Sequence, residues 1–425
     1  MSSYIKLLFT IKIVGFLSIL FSLNVLNAQD LAYAKMLDST LSSPEFGGRG
    51  YVDKGVQIAA KFIRTQYKNA GLQSFTKNYF QDFSFSINTI QKINDLSIDG
   101  NVLKAGSDYL ISAASKSISG TYNLVYLPDS LYGNSEALGN FFHENLTDKF
   151  IVTEGRFREL KSMYDLPAKG IIFLSKTKLM WELSHAQKTR NFVVIDILDS
   201  KFLRDSKTIT VNFKSKYYSK YKTQNVAAYI TGKKYPDSFI VITAHYDHLG
   251  KMGKDIYFPG ANDNASGTSM LLDLAKYYSN PNNQPDYSIA FIAFSGEEVG
   301  LLGSTFSAKN PLFPLSKIRF LVNLDMVGTG SKGITVVNAT VFPQEFKILS
   351  DINLKNNFLA DVKQRGESCN SDHCPFYSKG VPSFFIYTFG DEYSEYHNVM
   401  DKYKDLPFTE YNNFFKLMLE FLKSI

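Results

Sequence analysis

Cysteine is scarce in this chain: only Cys369 and Cys374 occur in 425 residues. In an oxidising compartment the pair can close a small disulfide loop; the alternative is two free thiols. As zinc ligands they are poor candidates beside the imidazoles and carboxylates described below. Tryptophan is scarcer still, with Trp181 alone. The formal net charge of +6 is small for this length, and no lysine- or arginine-rich block stands out. Nucleic acid is therefore a poorly supported partner. Beyond residue 28 no stretch is long and apolar enough to span a bilayer. Repeats and low-complexity segments are not evident either. What is present suits a globular chain: 44% hydrophobic and 15% aromatic residues allow a sizeable core and argue against global disorder.

The first 28 residues read as a leader. Lys6 and Lys12 precede an apolar stretch, Ile13 to Leu26, and Ala28 is a small residue before Gln29. The pattern predicts a signal peptide cleaved after Ala28, with export to the periplasm or beyond. An uncleaved anchor is the alternative, but the apolar core is short for a full span. No cysteine lies near the cleavage point, which argues against a lipoprotein.

Residues 32–41 look helical, and Ser43 to Gly50 (S-P-E-F-G-G-R-G) is rich in turn formers. Val56, Ala59, Ala60, Ile63 and Tyr67 then recur at helical spacing, closed by Gly71. Tyr79 to Phe85 reads as a strand. From 91 to 216 short β-like runs are separated by turns, which predicts an inserted β-rich subdomain. His143 and His185 lie there without acidic clusters at ligand spacing and read as surface or structural residues. The flanking pieces, 29–90 and 217–425, would form one catalytic domain. In the second piece strands alternate with helices. Strands are expected at Arg319 to Leu324, Ile334 to Asn338 and Val381 to Thr388, and a closing amphipathic helix at Phe408 to Ile425. The expected fold is α/β, with a mixed, largely parallel central sheet sandwiched by helices.

The chemistry gathers around Phe239 to Glu298. F-I-V-I-T-A runs into H-Y-D-H-L-G (His245 to Gly250), and a glycine-spaced loop carries P-G-A-N-D-N-A-S-G (Pro259 to Gly267). An apolar helix follows, and S-I-A-F-I-A-F-S ends in Gly296, Glu297 and Glu298. Parallel α/β sheets place their sites at such strand ends. His245, Asp263, Glu297 with Glu298, Asp325 and His397 all sit at strand ends or in the loops after them. These are too many groups for one tetrahedral ion; they suit two ions about 3.5–4 Å apart with a bridging carboxylate and a water. In an extended segment Asp247 would point the same way as His245 and could accept its other ring N–H. Adjacent Glu297 and Glu298 cannot both face one spot, so one can ligate while the other carries a proton. Singly, each has a duller explanation: H-x-D arises by chance, paired glutamates are commonly solvated, Asp325 can cap a turn, and His397 can be a satisfied loop histidine. Their joint placement is what argues for a site.

In order, H-Y-D-H-L-G, G-A-N-D-N-A-S-G, F-S-G-E-E-V-G-L-L-G-S, N-L-D-M-V-G, S-D-H-C-P-F and Y-H-N-V-M-D resemble the exported co-catalytic zinc aminopeptidase family. That family includes bacterial leucyl aminopeptidases, carboxypeptidase-like glutamate-releasing enzymes and glutaminyl cyclases. Residues 43–72 also resemble its usual amino-terminal segment, and the insert loosely resembles the protease-associated domain of many members. The resemblance implies two Zn2+ per chain and peptide substrates cut at their amino termini. His245 and Asp325 would hold one zinc, Glu298 and His397 the other, and Asp263 would bridge them. Glu297 would be the general base, Asp247 would orient His245, and His373 would lie near the substrate. Cyclases, the alternative activity on this fold, place Trp beside the metal-binding His, whereas Tyr396 stands here. Non-catalytic members have lost metal ligands, and none is missing. For recognition of a substrate α-ammonium, the acidic loop with Asp391, Glu392 and Glu395 is expected to turn at least one carboxylate to the metals.

Overall fold

The structure, a computed structural model, describes residues 30–154 and 157–425. The expected leader, residues 1–28, lies outside them. An inner strand of the sheet is β7 (Tyr235–His245), whose residues from Phe239 onward are buried. Alternation along it divides the apolar side chains between two faces. Ile240, Ile242 and Ala244 join one core with α2 (Gly55–Asn69), α3 (Gly267–Ser279) and α5 (Tyr411–Ser424). Phe239 and Val241 join another with Ala308 and Phe376. A strand covered on both faces reads as a continuous apolar run, which is why F-I-V-I-T-A shows no polar alternation.

β8 (Tyr287–Phe294) and β9 (Ile318–Leu324) flank β7 in parallel. β11 (Ser383–Thr388) runs parallel to β9, and β10 (Ile334–Val337) runs antiparallel to β11. The carboxyl ends of β7, β8, β9 and β11 therefore open on the same edge. Helix α1 (Leu31–Leu41) packs on α3, and α4 (Pro343–Asn356) packs on α5.

The strands of the segment expected as an insert join this sheet edge to edge, while residues 127–194 enclose a hydrophobic core of their own. β1 (Phe80–Ile98) and β6 (Thr208–Ile230) pair antiparallel along most of their length. The far end of β6 pairs with β8, and its near end pairs with β2 (Ile118–Tyr126). β2, β3 (Lys149–Thr153), β4 (Gly170–Ser175) and β5 (Val193–Leu198) follow in parallel. Among the described residues the result is one 14-stranded sheet. Both expected boundaries, after residue 90 and after residue 216, fall inside β1 and β6. Register shifts at Phe85/Ile87, Ile90/Lys92 and Ile93/Asp95 break the alternation of β1, so its sequence does not carry the pattern of one strand. No helix of the described residues is long and apolar enough to cross a membrane.

Candidate metal centre

His245 is the last residue of β7, and Asp325 follows β9 directly. Glu297 and Glu298 stand just beyond β8, and His397 lies in the loop after β11. Asp263 occupies a wide turn, Ala261–Ser266, that leads into α3. Four strand ends and one helix-entry turn thus converge on the same edge.

The side chains meet in a consistent pattern. His245 Nε2 lies 3.2 Å from Asp325 Oδ1 and 3.4 Å from Asp263 Oδ1. His397 Nε2 lies 3.0 Å from Asp263 Oδ2 and 3.2 Å from Glu298 Oε2. Asp263 therefore divides its two oxygens between two histidine–carboxylate pairs. Donor atoms sharing a tetrahedral zinc at about 2.0–2.1 Å each lie about 3.3–3.4 Å apart. The observed spacings, and a donor set of imidazole nitrogen and carboxylate oxygen, fit a divalent metal.

The electrostatics agree. Burial alone would lower the His245 imidazole, yet Asp325, Glu297 and Asp263 raise it well above its ordinary value. His397 is raised in the same way by Glu298 and Asp263 against burial. Burial opposes ionisation of Asp263, but hydrogen bonds with His245 and His397 hold it well below the usual range. Glu298 is brought down to about 2; burial opposes this and the charge of His397 favours it. Burial pushes Glu297 well above the carboxylate range; His245 opposes, while Glu298, Asp372 and Asp325 add to the rise. So many carboxylates in a water-poor pocket are costly unless cations compensate them.

Several partners were not singled out from sequence. His248 is buried, with Nδ1 2.7 Å from Glu298 Oε1, so it can orient that carboxylate. Ser371 Oγ donates to Asp325 Oδ2 at 3.2 Å and accepts from Asn323 Nδ2 at 2.9 Å. The Cys369–Cys374 disulfide closes the loop that carries Ser371 and Asp372. Asp372 is buried near the ligands; burial pushes it up to about 7, opposed by His245 and Ser304.

Asp247 differs from its expected role. His245 Nδ1 lies 3.1 Å from the Asp247 main-chain oxygen but 3.9 Å from its carboxylate. The carboxylate instead accepts from Tyr51 Oη at 2.7 Å and from the Glu297 N–H at 3.2 Å. The same-side rule of an extended strand stops where β7 stops, at His245. Asp247 thus holds His245 through its carbonyl and Glu297 through its side chain.

His373 lies on the same disulfide-closed loop as Ser371. Its Nε2 lies 2.8 Å from Ser368 O, its ring lies against Phe385, and burial pushes its pKa down to about 4. None of these contacts is with the ligand set.

The three carboxylates of the acidic loop have partners outside the candidate ligands. Asp391 pairs with Lys332 at 2.6 Å and is 83% exposed at its side chain. Glu392 accepts the N–H groups of Gly330 and Ser331 at 2.8 and 2.9 Å. Glu395 pairs with Lys178 and accepts from Asn398 at 2.9 Å. Cations and amides from neighbouring loops have captured all three. Asp391→Asn should accordingly change stability by no more than about 1 kcal/mol, since exposed pairs contribute little. Urea unfolding of the two proteins checks it, and a several-fold larger loss would show that the pair holds this loop.

The region 91–216 touches the centre directly. The Trp181 main-chain N–H donates to His397 O at 2.9 Å, and its indole stacks on Phe258 with centroids 4.8 Å apart. Together with Lys178 on Glu395, this braces the loop that presents His397.

Residues 225–422 match Peptidase family M28, and this span contains every candidate ligand. The chain is 28% identical over 304 residues to aminopeptidase YwaD of Bacillus subtilis (strain 168), covering 67% of this chain and 63% of that protein. It is 37% identical over 116 residues to a probable zinc metalloprotease of Pyricularia oryzae, covering 26% of this chain and 23% of that one. It thus spans less than two thirds of the length of these relatives. A zinc aminopeptidase from Bacillus subtilis superposes with a TM-score of 0.70 at 22% identity, over 93% of this chain and 95% of that one. A Peptidase M28 precursor from Shewanella amazonensis SB2B superposes with a TM-score of 0.69 at 15% identity, over 92% of each chain. These likenesses show the same fold: a mixed α/β architecture with a large, mostly parallel central sheet.

Proposed function

We propose that this chain, matched to Peptidase family M28 over residues 225–422, is an exported aminopeptidase that works with two zinc ions. The observation that carries the proposal is the division of the Asp263 oxygens between His245 with Asp325 and His397 with Glu298. A zinc pair held by these residues would supply Lewis-acid polarisation of a peptide carbonyl and a water of lowered pKa. Glu297 stands beside the ligands, its main chain anchored on Asp247. With its proton affinity raised by burial and neighbouring carboxylates, it suits a base that takes a proton from the attacking water. It then returns that proton to the leaving amine. Export is supported by the leader pattern and by the Cys369–Cys374 disulfide. Amino-terminal sequencing should find Gln29 first.

With Asp391, Glu392 and Glu395 engaged elsewhere, the substrate α-ammonium would be met by carboxylates at the centre that lie outside the four ligand contacts, Glu297 and Asp372. An acetylated terminus forfeits that attraction, so a blocked peptide should be cut at least tenfold more slowly than its free counterpart. Comparing kcat/KM for the two, with metal content and chelator sensitivity measured alongside, tests the function. Equal values or internal cleavage would refute aminopeptidase action. Release of ammonia from an amino-terminal Gln without hydrolysis would instead indicate a cyclase. Fewer than two zinc ions in fully active protein would refute the paired site.

A further inference from the structure

The turn-rich stretch S-P-E-F-G-G-R-G has no part in the chemistry above, yet it holds the main chain of the centre. Arg49 is fully buried. Its guanidinium carries five N–H groups, and each finds a main-chain carbonyl. Nε donates to Tyr246 O at 2.8 Å. Nη1 donates to Leu41 O at 3.0 Å and Pro259 O at 2.7 Å. Nη2 donates to Gly260 O at 2.7 Å and Asp263 O at 3.1 Å. Tyr246 follows the ligand His245; Pro259, Gly260 and Asp263 belong to the loop that presents the divided carboxylate.

The peptide groups of Asp263 are held from both sides. Arg49 takes its carbonyl, and Asp401 Oδ2 accepts its N–H at 3.1 Å. Asp401 Oδ1 also accepts the Asn262 N–H at 2.8 Å. Among the described residues no carboxylate pairs directly with Arg49, but Asp38, Asp263, Asp401 and Asp247 all bear on its charge. The fit around it is tight. A Cβ on Gly50 would lie 2.2 Å from Gly250 Cα, and one on Gly48 would lie 2.4 Å from Phe258 O. Those glycines let the Arg49 segment lie against the loops its side chain binds.

We propose that Arg49 is a positioning residue for the metal centre. It fixes the backbone of Asp263 so that the two carboxylate oxygens remain divided between the two ligand sets. The inference rests on the two-zinc reading above. Lysine cannot replace arginine here, because one ammonium with three N–H groups cannot reach five carbonyls spread around a planar fork.

The test uses the whole mature chain. Zinc affinity is measured by competition with a chromophoric chelator in wild type, Arg49→Lys and Ile63→Ala, the last a buried change on α2 as a stability control. Cobalt-substituted samples report ligand geometry by absorption. Arg49→Lys should bind at least one ion about 10–100-fold more weakly, as expected when a group supporting a ligand is lost. Its cobalt spectrum should change, and excess zinc should restore part of kcat. Ile63→Ala should lose thermal stability with normal zinc affinity and spectrum. Wild-type zinc affinity and an unchanged cobalt spectrum in Arg49→Lys would overturn the inference. Failure of wild type itself to bind two ions would count against the two-zinc reading instead. Should Arg49→Lys not fold, hydrogen exchange on metal-free wild type decides. Protection of the Arg49 guanidinium protons before zinc is added supports positioning by Arg49; protection only after zinc overturns it.

Discussion

Glu297→Gln is expected to retain its zinc and lose about 10²–10⁴-fold in kcat. The amide keeps the shape of the side chain and removes its capacity to accept a proton. The four shortest contacts of His245 and His397 with carboxylates use Asp263, Glu298 and Asp325, so metal content should be untouched. The Glu297 main-chain N–H still has Asp247 as acceptor, so the backbone has no reason to move. KM should change little, because the lost interaction belongs to the proton transfer and not to substrate binding. Elemental analysis and steady-state kinetics on the same preparation make the measurement. Near-normal kcat would remove Glu297 from the mechanism. A large loss accompanied by lost zinc would make it a ligand.

The clustering of the candidate ligands was legible in the sequence because each of these residues stands at the end of a distinct apolar run or in a loop with its own motif. His245, Asp325 and the Glu297–Glu298 pair fall where strand propensity ends, and the observed β7, β8 and β9 end there. What was not legible depends on contacts between distant segments. Arg49 sits at a left-handed φ of 50° in a turn-rich stretch, and nothing local says that its five partners lie some two hundred residues away or, for Leu41, just before it. Tyr51 reaches Asp247 and Ser371 reaches Asp325 in the same manner. His248 lay within a motif already noted, but only the fold shows its ring on Glu298. The partners of Asp391, Glu392 and Glu395 were not legible either, because Lys332, Ser331 and Lys178 all lie far away in sequence. The continuity of the sheet was hidden by the bulges of β1, which turn one long strand into several short apolar runs.

Asp263→Ala should have the largest effect of any single change, because it removes a donor from both ligand sets at once. Losing His245 or Glu298 takes a ligand from one set and leaves the other whole. Without Asp263, the histidine Nε2 atoms that lie 3.4 and 3.0 Å from its oxygens each lose that partner. Zinc retained after dialysis should fall from two ions per chain to one or none, and activity should fall below that of Glu297→Gln. Loss of fold is separable from loss of metal. A ligand that binds only the native state raises stability by mass action, by about 4 kcal/mol when it is present at a thousand times its dissociation constant. Added zinc should therefore raise the unfolding midpoint of wild type strongly and that of Asp263→Ala weakly, while the two metal-free proteins give similar circular dichroism spectra. Asp263→Asn should fall between them, since one carbonyl oxygen can still approach one ion but no longer supplies a charged oxygen to each. Two zinc ions firmly held by Asp263→Ala would mean that the carboxylate is not shared, and the two-ion reading would then lose the observation on which it rests.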